Sequence, residues 1–202
     1  MKRRMPAEDR KAEIVAALLR LADRIGPDRL TTTDVAREVG VTQAAIFRHF
    51  PTKAELWTTV GEVIADRLEA AWQEAITMNA GGKDRLRALV AAQLRQIESC
   101  PALPVILHSR ELNVDNAALR ERFRGLLAQF QAHLAACLED MSADGAIGAQ
   151  IAPGDAALLL VSLVQGTAIR WSLGARQFGL ETEGLRLLDI QLALLASREG
   201  PR

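Results

Sequence analysis

The chain has 202 residues, of which 49% are apolar and 4% aromatic, and its two cysteines are too few for a disulfide framework. That length is enough for one or two domains with a genuine core. The formal net charge is zero, but residues 1–60 hold 11 Lys and Arg against 8 Asp and Glu. This modest basic bias suits a polyanionic partner at that end, although three charges are weak support alone.

The composition predicts an all-α protein. Ala and Leu, which are both strong helix formers, dominate the composition. Few runs are rich in Val, Ile or Thr, and none of them is bounded by the dipeptides that are typical of a β-hairpin turn. No signal peptide is recognisable, and no apolar run is long enough to span a bilayer. We therefore expect a cytoplasmic protein with reduced thiols and no membrane association.

The first four predicted helices are short or medium in length. Apolar residues from Ile14 to Ile25 form one amphipathic stripe, which "GPD" at 26–28 ends. "TTTD" reads as a capping box, with Thr31 as the N-cap, and Gly40 ends the second helix near Val39. Thr42 caps a third helix that ends near residue 50, and Lys53 opens a long fourth helix to about residue 78.

The rest of the chain predicts five further helices after a hinge at 79–84, which makes about nine in total. They cover about 84–99, 102–111, 115–140, 154–173 and 182–198. We expect a three-helix DNA-binding domain over 1–53, followed by a larger helical domain for ligand binding and dimerisation over 54–202.

The second and third helices have the spacing of a helix-turn-helix. Ala36 lets the next helix lie close, Gly40 accepts the left-handed turn, and Ile46 fills the space between the helices. In that geometry the third helix enters the major groove, where Gln43 can pair with an adenine edge. The bare spacing also occurs by chance, and single residues such as Arg48 are ordinary on a helix surface. The candidate DNA-contacting residues are Thr31, Thr33, Thr42, Gln43, Ala44, Ala45, Phe47, Arg48, His49 and Lys53.

The stretch "TTTDVAREVGVTQAAIFRHFPTKAELW" resembles the N-terminal domain of the TetR family of bacterial transcriptional repressors. The resemblance covers about residues 10–60 and rests on the motifs Val35-Ala36, Gly40-Val41-Thr42, Phe47, Phe50, Lys53 and Glu55-Leu56. It implies a homodimeric repressor on a pseudo-palindromic DNA operator, released when a small, apolar or aromatic effector tilts the fourth helix. Phe47 stands where the family commonly has a phosphate-binding tyrosine, so we expect that contact to be lost or replaced, for example by His49. Ala44 and Ala45 leave few groups for direct base contacts.

The resemblance also implies that the last two helices form the dimer interface. Independently of the resemblance, the helix over 154–173 is apolar all round and the last helix carries leucines on two faces. This excess of apolar surface favours burial against a partner chain. The alternative is that both helices are central to one chain's core. The candidate interface residues are Leu158, Val161, Gly166, Ile169, Leu185, Leu188, Leu192 and Leu195.

The effector pocket implied by the resemblance lies in the C-terminal domain, although plain core packing is an alternative for most of its candidates. His108 and Glu111 would share a helix face and hold a polar end of the effector or a metal. We predict no cofactor and no metal, because a third ligand is missing, and no enzymatic activity. The rivals are a helical enzyme using His108 and Glu111, and a helical interaction protein. The candidate pocket residues are Trp72, Leu94, Leu103, Leu107, His108, Glu111, Phe123, Leu127, Gln165, Ile169 and Trp171.

Overall fold

The structure is a computed structural model that describes residues 6–148 and 150–196. This part of the chain is helical and contains no strand, apart from one isolated antiparallel bridge between Ile147 and Ala196. The all-α prediction is confirmed. The ten helices found there are α1 (Ala7–Ile25), α2 (Thr32–Val39), α3 (Gln43–His49), α4 (Lys53–Thr77), α5 (Gly82–Ser99), α6 (Ala102–His108), α7 (Arg110–Asp115), α8 (Ala117–Ala143), α9 (Pro153–Leu173) and α10 (Leu180–Leu195).

The helix predicted over 102–111 is wrong, because the chain breaks at Ser109. Ser109 has an extended backbone (φ −67°, ψ 107°), and its hydroxyl accepts a hydrogen bond from the Leu112 N–H at 3.0 Å. Ser109 therefore ends α6 and caps a separate helix, α7. His108 is the last residue of α6 and Glu111 lies in the first turn of α7, so the prediction that they share one helix face is also wrong.

The chain divides into two compact units. The first runs up to Ala65 and includes Cys100–Phe123, and the second comprises Asp66–Ser99 and the chain from Arg124 onward. The first unit contains α1–α3, the start of α4, and α6 and α7. The division of the chain into these two units therefore does not coincide with the domain boundary at residue 53 that the sequence suggests. The boundary at residue 53 stays a prediction about function rather than about packing.

In the first unit, α1 packs against α2, α3 and α6. Ile14 and Leu18 are wholly buried, as the amphipathic stripe of α1 predicts, and so is Val35 of α2. The turn after α1 is tied to the start of α7, because the Ser109 hydroxyl donates a hydrogen bond to the Asp28 carboxylate. Asn116 fixes α4 to the start of α8: its Nδ2 donates to the Ala54 carbonyl at 2.9 Å, and its Oδ1 accepts from the Leu119 N–H at 3.1 Å.

In the second unit, α10 packs against α5 and α9. Gly184 permits the close approach of α10 to α5, because a Cβ there would lie 2.4 Å from Leu94 Cδ1. Glu98 accepts a hydrogen bond from the Leu180 N–H at 2.9 Å and so caps the start of α10. This packing holds α9 and α10 side by side, and each keeps exposed apolar side chains.

Candidate nucleic-acid interface

The N-terminus of α2 is closed by the predicted capping box. The Thr31 hydroxyl accepts from the Asp34 N–H at 3.2 Å, and the Asp34 carboxylate accepts from the Thr31 N–H at 3.1 Å and from the Thr31 hydroxyl at 2.6 Å. The hydrogen bonds from the Thr31 side chain, then from its backbone, lower the pKa of Asp34, with a further contribution from Arg37. The Thr31 hydroxyl is thus engaged within the protein, while Thr33, two residues further on, is exposed.

The turn between α2 and α3 depends on Gly40. Its backbone is left-handed (φ 74°, ψ 35°), a conformation that glycine adopts without steric cost. The Val41 N–H reaches back to the Ala36 carbonyl at 2.9 Å and satisfies one of the free carbonyls at the end of α2. A Cβ at Gly40 would meet no atom within 4 Å, so the conformation and not the space requires glycine here.

Helix α3 projects its first turn away from the core. The Thr42 hydroxyl caps it by accepting from the Ala45 N–H at 3.2 Å, and the fully buried Ile46 anchors it. Thr42, Gln43 and Ala44 are exposed, and Ala45 is half-buried. These are the positions from which a recognition helix contacts base edges.

Gln43 is not free in this state. Its Nε2 donates a hydrogen bond to the Thr32 hydroxyl, 2.7 Å away in the first turn of α2. The sequence pattern did not reveal this bond, because it joins two helices across the turn. Gln43 remains exposed, so its amide is accessible to a base that offers a better partner.

The end of α3 and the start of α4 carry two exposed cations, Arg48 and Lys53. Neither forms an ion pair with any residue that the structure describes. By contrast, Arg20 and Arg24 contact Glu38 at 3.6 and 3.1 Å, and Arg37 contacts Asp34 at 3.2 Å. Arg48 and Lys53, beside α3, are therefore available to contact a phosphate.

Two further features of this surface escaped the sequence prediction. Arg29, in the turn before α2, is exposed and has no ion pair among the described residues. Thr52 caps α4, because its hydroxyl accepts from the Glu55 N–H at 3.1 Å. One of the N–H groups at the start of α4 is therefore already satisfied and is not open to an anion.

The aromatic and imidazole side chains at the end of α3 differ in exposure. Phe47 is 39% exposed, which is unusual for a phenylalanine, whereas His49 is half-buried and Phe50 is buried. Phe47 offers an apolar contact where a tyrosine would offer a hydroxyl. A role for His49 in replacing that hydroxyl stays a prediction.

Comparisons with known proteins identify the family of this chain. Residues 14–59 match the model for bacterial regulatory proteins of the tetR family. The nucleoid occlusion factor SlmA of Vibrio atlanticus is 30% identical over 133 residues, which cover 65% of this chain and 68% of SlmA. The chain belongs to the TetR family.

Solved structures of transcriptional regulators share the fold over nearly the whole chain. FadR of Bacillus subtilis, in complex with stearoyl-CoA, has a TM-score of 0.73 at 18% identity, and the match covers 92% of this chain and 97% of FadR. A transcriptional regulator of Saccharomonospora viridis, in complex with choline, has a TM-score of 0.79 at 21% identity and covers 95% and 100%. This TetR-family protein is thus a regulator built on the DNA-binding helix-turn-helix described above.

The predicted effector residues fall into both units and have different environments. Trp72, Leu94 and Trp171 of the second unit are core residues, and so are Leu103 and Phe123 of the first. Leu107, Leu127, Gln165 and Ile169 are half-buried, and His108 and Glu111 are exposed. His108 and Glu111 lie on separate helices, and among the described residues no group of three His, Cys, Asp or Glu is placed to hold a metal ion.

An aromatic cluster in the second unit surrounds Trp72. Its ring stacks on Phe130, with centroids 5.3 Å apart, and His133 meets it edge-on at 6.1 Å. The Trp72 Nε1 donates to Gln93 at 2.9 Å. Burial lowers the pKa of His133, so the neutral imidazole is favoured beside these rings. His133 and Gln93 were not among the predicted pocket residues, because they are ordinary on an amphipathic helix.

The residues predicted for the dimer interface differ in how far they are exposed. Val161, Leu188 and Leu195 are buried in the chain's own core, and their part in an interface stays a prediction. Leu158 and Gly166 are exposed, and Ile169, Leu185 and Leu192 are half-buried. The apolar side chains that α9 and α10 leave exposed include Leu159, Ile190 and Leu194, and Leu163 and Leu187 line a groove with Gly166.

Helix α9 is the one helix in the described part that is long and apolar enough to cross a membrane, and 44% of its apolar window is buried inside the chain. A helix in the core of a protein is often as long and as apolar, so the length and composition of α9 do not by themselves indicate a membrane span.

The two cysteines differ in exposure: Cys137 is buried and Cys100 is half-buried, and neither forms a disulfide bond among the described residues.

Proposed function

We propose that this protein is a ligand-responsive repressor that binds a pseudo-palindromic operator as a homodimer. The observation that carries the proposal is the surface of α3 and the start of α4, where Gln43, Arg48 and Lys53 are exposed and the two cations are unpaired among the described residues. We call Thr33, Thr42, Gln43, Ala44, Arg48 and Lys53 the DNA face. Arg48 and Lys53 would contact phosphates, and Thr42 and Gln43 would contact bases.

The DNA face is small, so sequence choice would rest on few base contacts. Gln43 is the only side chain in the first turn of α3 that can make two hydrogen bonds to one base. Ala44 offers a methyl group to thymine and no hydrogen bond. The remaining specificity would come from DNA shape and deformability.

A homodimer would double this face. The proposed interface is a row of residues on α9 and α10 that we call the α9–α10 stripe. It consists of the exposed Leu159, Gly166, Ile190 and Leu194 and the half-buried Leu163 and Leu187. Burying such a row against its copy would form a four-helix arrangement. The two DNA faces would then meet half-sites about one helical turn, roughly 34–36 Å, or somewhat more apart.

The effector would bind in the helical second unit, near the Trp72 cluster. The complexes of the family neighbours with stearoyl-CoA and with choline support an organic ligand, and the aromatic rings favour an apolar or aromatic one. Helix α4 begins at Lys53 and also carries Trp72. A ligand that changes the tilt of α4 would displace Lys53, but only if it binds the two states with unequal affinity.

Binding to DNA upstream of the protein's own gene tests the proposal. We expect a salt-sensitive, sequence-preferring shift in a gel assay, and quenching of tryptophan fluorescence by members of a compound library, with release of the DNA by the same compounds. The cytoplasm is the compartment that this function requires. In the alternative, an enzyme, His108 and Glu111 would have to act from two separate helices, α6 and α7.

A second candidate is nucleoid occlusion. The identity with SlmA extends over 133 residues, well beyond residues 14–59 that define the DNA-binding module. Such a protein would act while bound to the chromosome rather than through the genes next to its site. Deletion of the gene would then allow division septa to form across the nucleoid, whereas loss of a repressor would only raise the transcripts of its target genes.

A further inference from the structure

The outer face of α3 is only partly polar. Its exposed residues are Gln43, Ala44, Phe47 and Arg48, whereas Ile46 is wholly buried and anchors the helix. Gln43 and Arg48 offer hydrogen bonds, but the side chains of Ala44 and Phe47 offer only carbon and hydrogen. A surface that fits this face must therefore present an apolar group next to polar ones.

Ala44 and Phe47 form one apolar patch on this face. They lie three residues apart in a helix, which makes their Cβ atoms neighbours, about 5–6 Å apart. Long side chains of a helix lean towards its N-terminus, so we expect the Phe47 ring to lie over the turn that carries Gln43 and Ala44. That first turn is the part of a recognition helix that contacts base edges.

Phe47 keeps an exposed surface that the core does not use. It is 39% exposed, whereas Phe50, three residues later, is 3% exposed. An exposed apolar patch that is bordered by polar side chains is typical of a binding surface. Here the border consists of Gln43 and Arg48, and Arg48 has no ion pair among the described residues. The border favours an anionic partner with hydrogen-bonding groups, and the patch requires that this partner also carry an apolar group.

The major groove of DNA contains such a group, the C5-methyl of thymine. Alanine and phenylalanine are among the side chains that contact it. The methyl lies on the same groove edge as the hydrogen-bonding atoms of adenine, which a glutamine can contact with two hydrogen bonds. The mixed face of α3 therefore matches a sequence in which adenine and thymine are neighbours.

We propose that Ala44 and Phe47 read thymine C5-methyl groups next to the adenine that Gln43 contacts. The inference rests on the proposed DNA-binding function and gives a specificity-determining role to Phe47, which is not part of the DNA face. Removing one methyl group from water is worth about a fourfold difference in affinity. Each half-site of the operator therefore contains a thymine that is distinguished from the other bases without a hydrogen bond.

The test compares thymine with deoxyuridine in the same DNA, since the two differ only by the C5-methyl group. An operator is first selected from a random duplex library with the full-length protein. Each of its thymines is then replaced in turn by deoxyuridine, and fluorescence anisotropy gives the affinities. We expect one or two positions in a half-site at which the replacement weakens binding about fourfold, beside the base pair that is sensitive to Gln43→Ala.

Variants at position 47 assign the effect to its side chain. Phe47→Ala should weaken binding to the thymine operator more than to the deoxyuridine operator, so the affinity ratio at one of these positions falls towards one. Phe47→Leu keeps an apolar side chain and should keep most of the ratio. Phe178→Ala, at a half-buried phenylalanine of the second unit, is the matched control and should leave the ratio unchanged.

Two results would overturn the inference. In the first, every deoxyuridine operator binds the native protein as tightly as the thymine operator does, an outcome that does not depend on whether Phe47→Ala folds. In the second, Phe47→Ala weakens binding to both operators equally, as expected if Phe47 packs against a deoxyribose. In either case the protein still selects a sequence and the proposed DNA-binding function stands, whereas a library from which no sequence is enriched would contradict both.

Discussion

The side-chain amide of Gln43 donates a hydrogen bond to the hydroxyl of Thr32 across the turn between α2 and α3. The bond holds the candidate base-reading side chain against the helix that precedes it. To pair with an adenine edge, Gln43 must exchange this bond for two new ones. The exchange is favourable only at the right base, so the bond to Thr32 would sharpen discrimination between operator and random DNA.

Replacing Gln43 by Ala should relax sequence choice. We expect a loss of about 1–3 kcal/mol on the operator, the value of one bidentate base contact, with little change on random DNA. Fluorescence anisotropy titrations on both DNAs measure the two affinities. Gln177→Ala, at an exposed position in the second unit, is the control. Equal losses on operator and random DNA would refute a base-reading role for Gln43.

Replacing Lys53 by Ala should weaken binding to every sequence alike. Lys53 has no ion pair among the described residues, so a phosphate contact would release one counterion, and its removal should lower the salt slope by about 1. The affinity is measured at several salt concentrations for Lys53→Ala and for Lys83→Ala, an exposed lysine of the second unit. A slope that stays unchanged in Lys53→Ala would remove Lys53 from the DNA face.

The local signals in the N-terminal sequence were sufficient to predict its structure. Thr31, Gly40 and Thr42 act through contacts within three to five residues of themselves, and the structure places each as a cap or turn as expected. Ser109 was missed because it sits between two helix-forming stretches, and nothing nearby shows that its hydroxyl also bonds to Asp28, 81 residues earlier. The Gln43–Thr32 bond was missed for the same reason.

The two sides of an apolar helix could not be told apart from sequence. Leu188 and Leu194 are both leucines of α10 on an apolar background, yet Leu188 is wholly buried and Leu194 is 73% exposed. Which leucine faces the core depends on where α5 and α9 lie, and α5 comes some 90 residues earlier in the chain. Sequence periodicity therefore predicted that α9 and α10 have surplus apolar surface, but it could not separate the leucines that face the core from those that are exposed.

Replacing Leu194 by Glu should dissociate the homodimer. Leu194 belongs to the α9–α10 stripe and is exposed in a single chain, so the charge would be tolerated in the monomer and buried without a partner in the dimer. Sedimentation velocity over a range of concentrations measures the change. Met78→Glu, at an exposed apolar residue just after α4 and outside α9 and α10, should leave the dimer intact. A dimer that survives Leu194→Glu would place the interface elsewhere.

Replacing Gly40 by Ala should destabilise the protein by about 1 kcal/mol, because an L-residue is strained at a positive φ. Gly125→Ala is the matched control, since Gly125 lies inside α8 and a Cβ there also meets nothing within 4 Å. At that helical position Ala should stabilise by up to about 1 kcal/mol. Denaturant unfolding of the two variants should therefore move in opposite directions. Equal shifts would mean that the left-handed turn at Gly40 is not maintained.

Glu183 should make the stability of the protein depend on pH in the acid range. Arg186 donates two hydrogen bonds to its carboxylate, at 2.7 and 3.0 Å, and Arg170 donates one at 2.8 Å. The hydrogen bonds from Arg186, then those from Arg170, lower the pKa of Glu183 from 4.5 to about 2. A carboxyl whose pKa is lower in the folded than in the unfolded state stabilises the fold above its unfolded pKa, and this contribution is lost as the pH falls towards its folded pKa.

The pH window for this effect follows from those two values. The stability difference between the native protein and Glu183→Gln should be constant above pH 4.5 and shrink as the pH falls from 4.5 to about 2. Urea unfolding at a series of pH values measures the difference, which solvent screening keeps small because the arginines are exposed. Glu139→Gln, at an exposed carboxylate of α8 that has no ion pair among the described residues, is the control. A Glu183→Gln difference that is flat across this pH range would mean that the two arginines do not hold the carboxylate in solution.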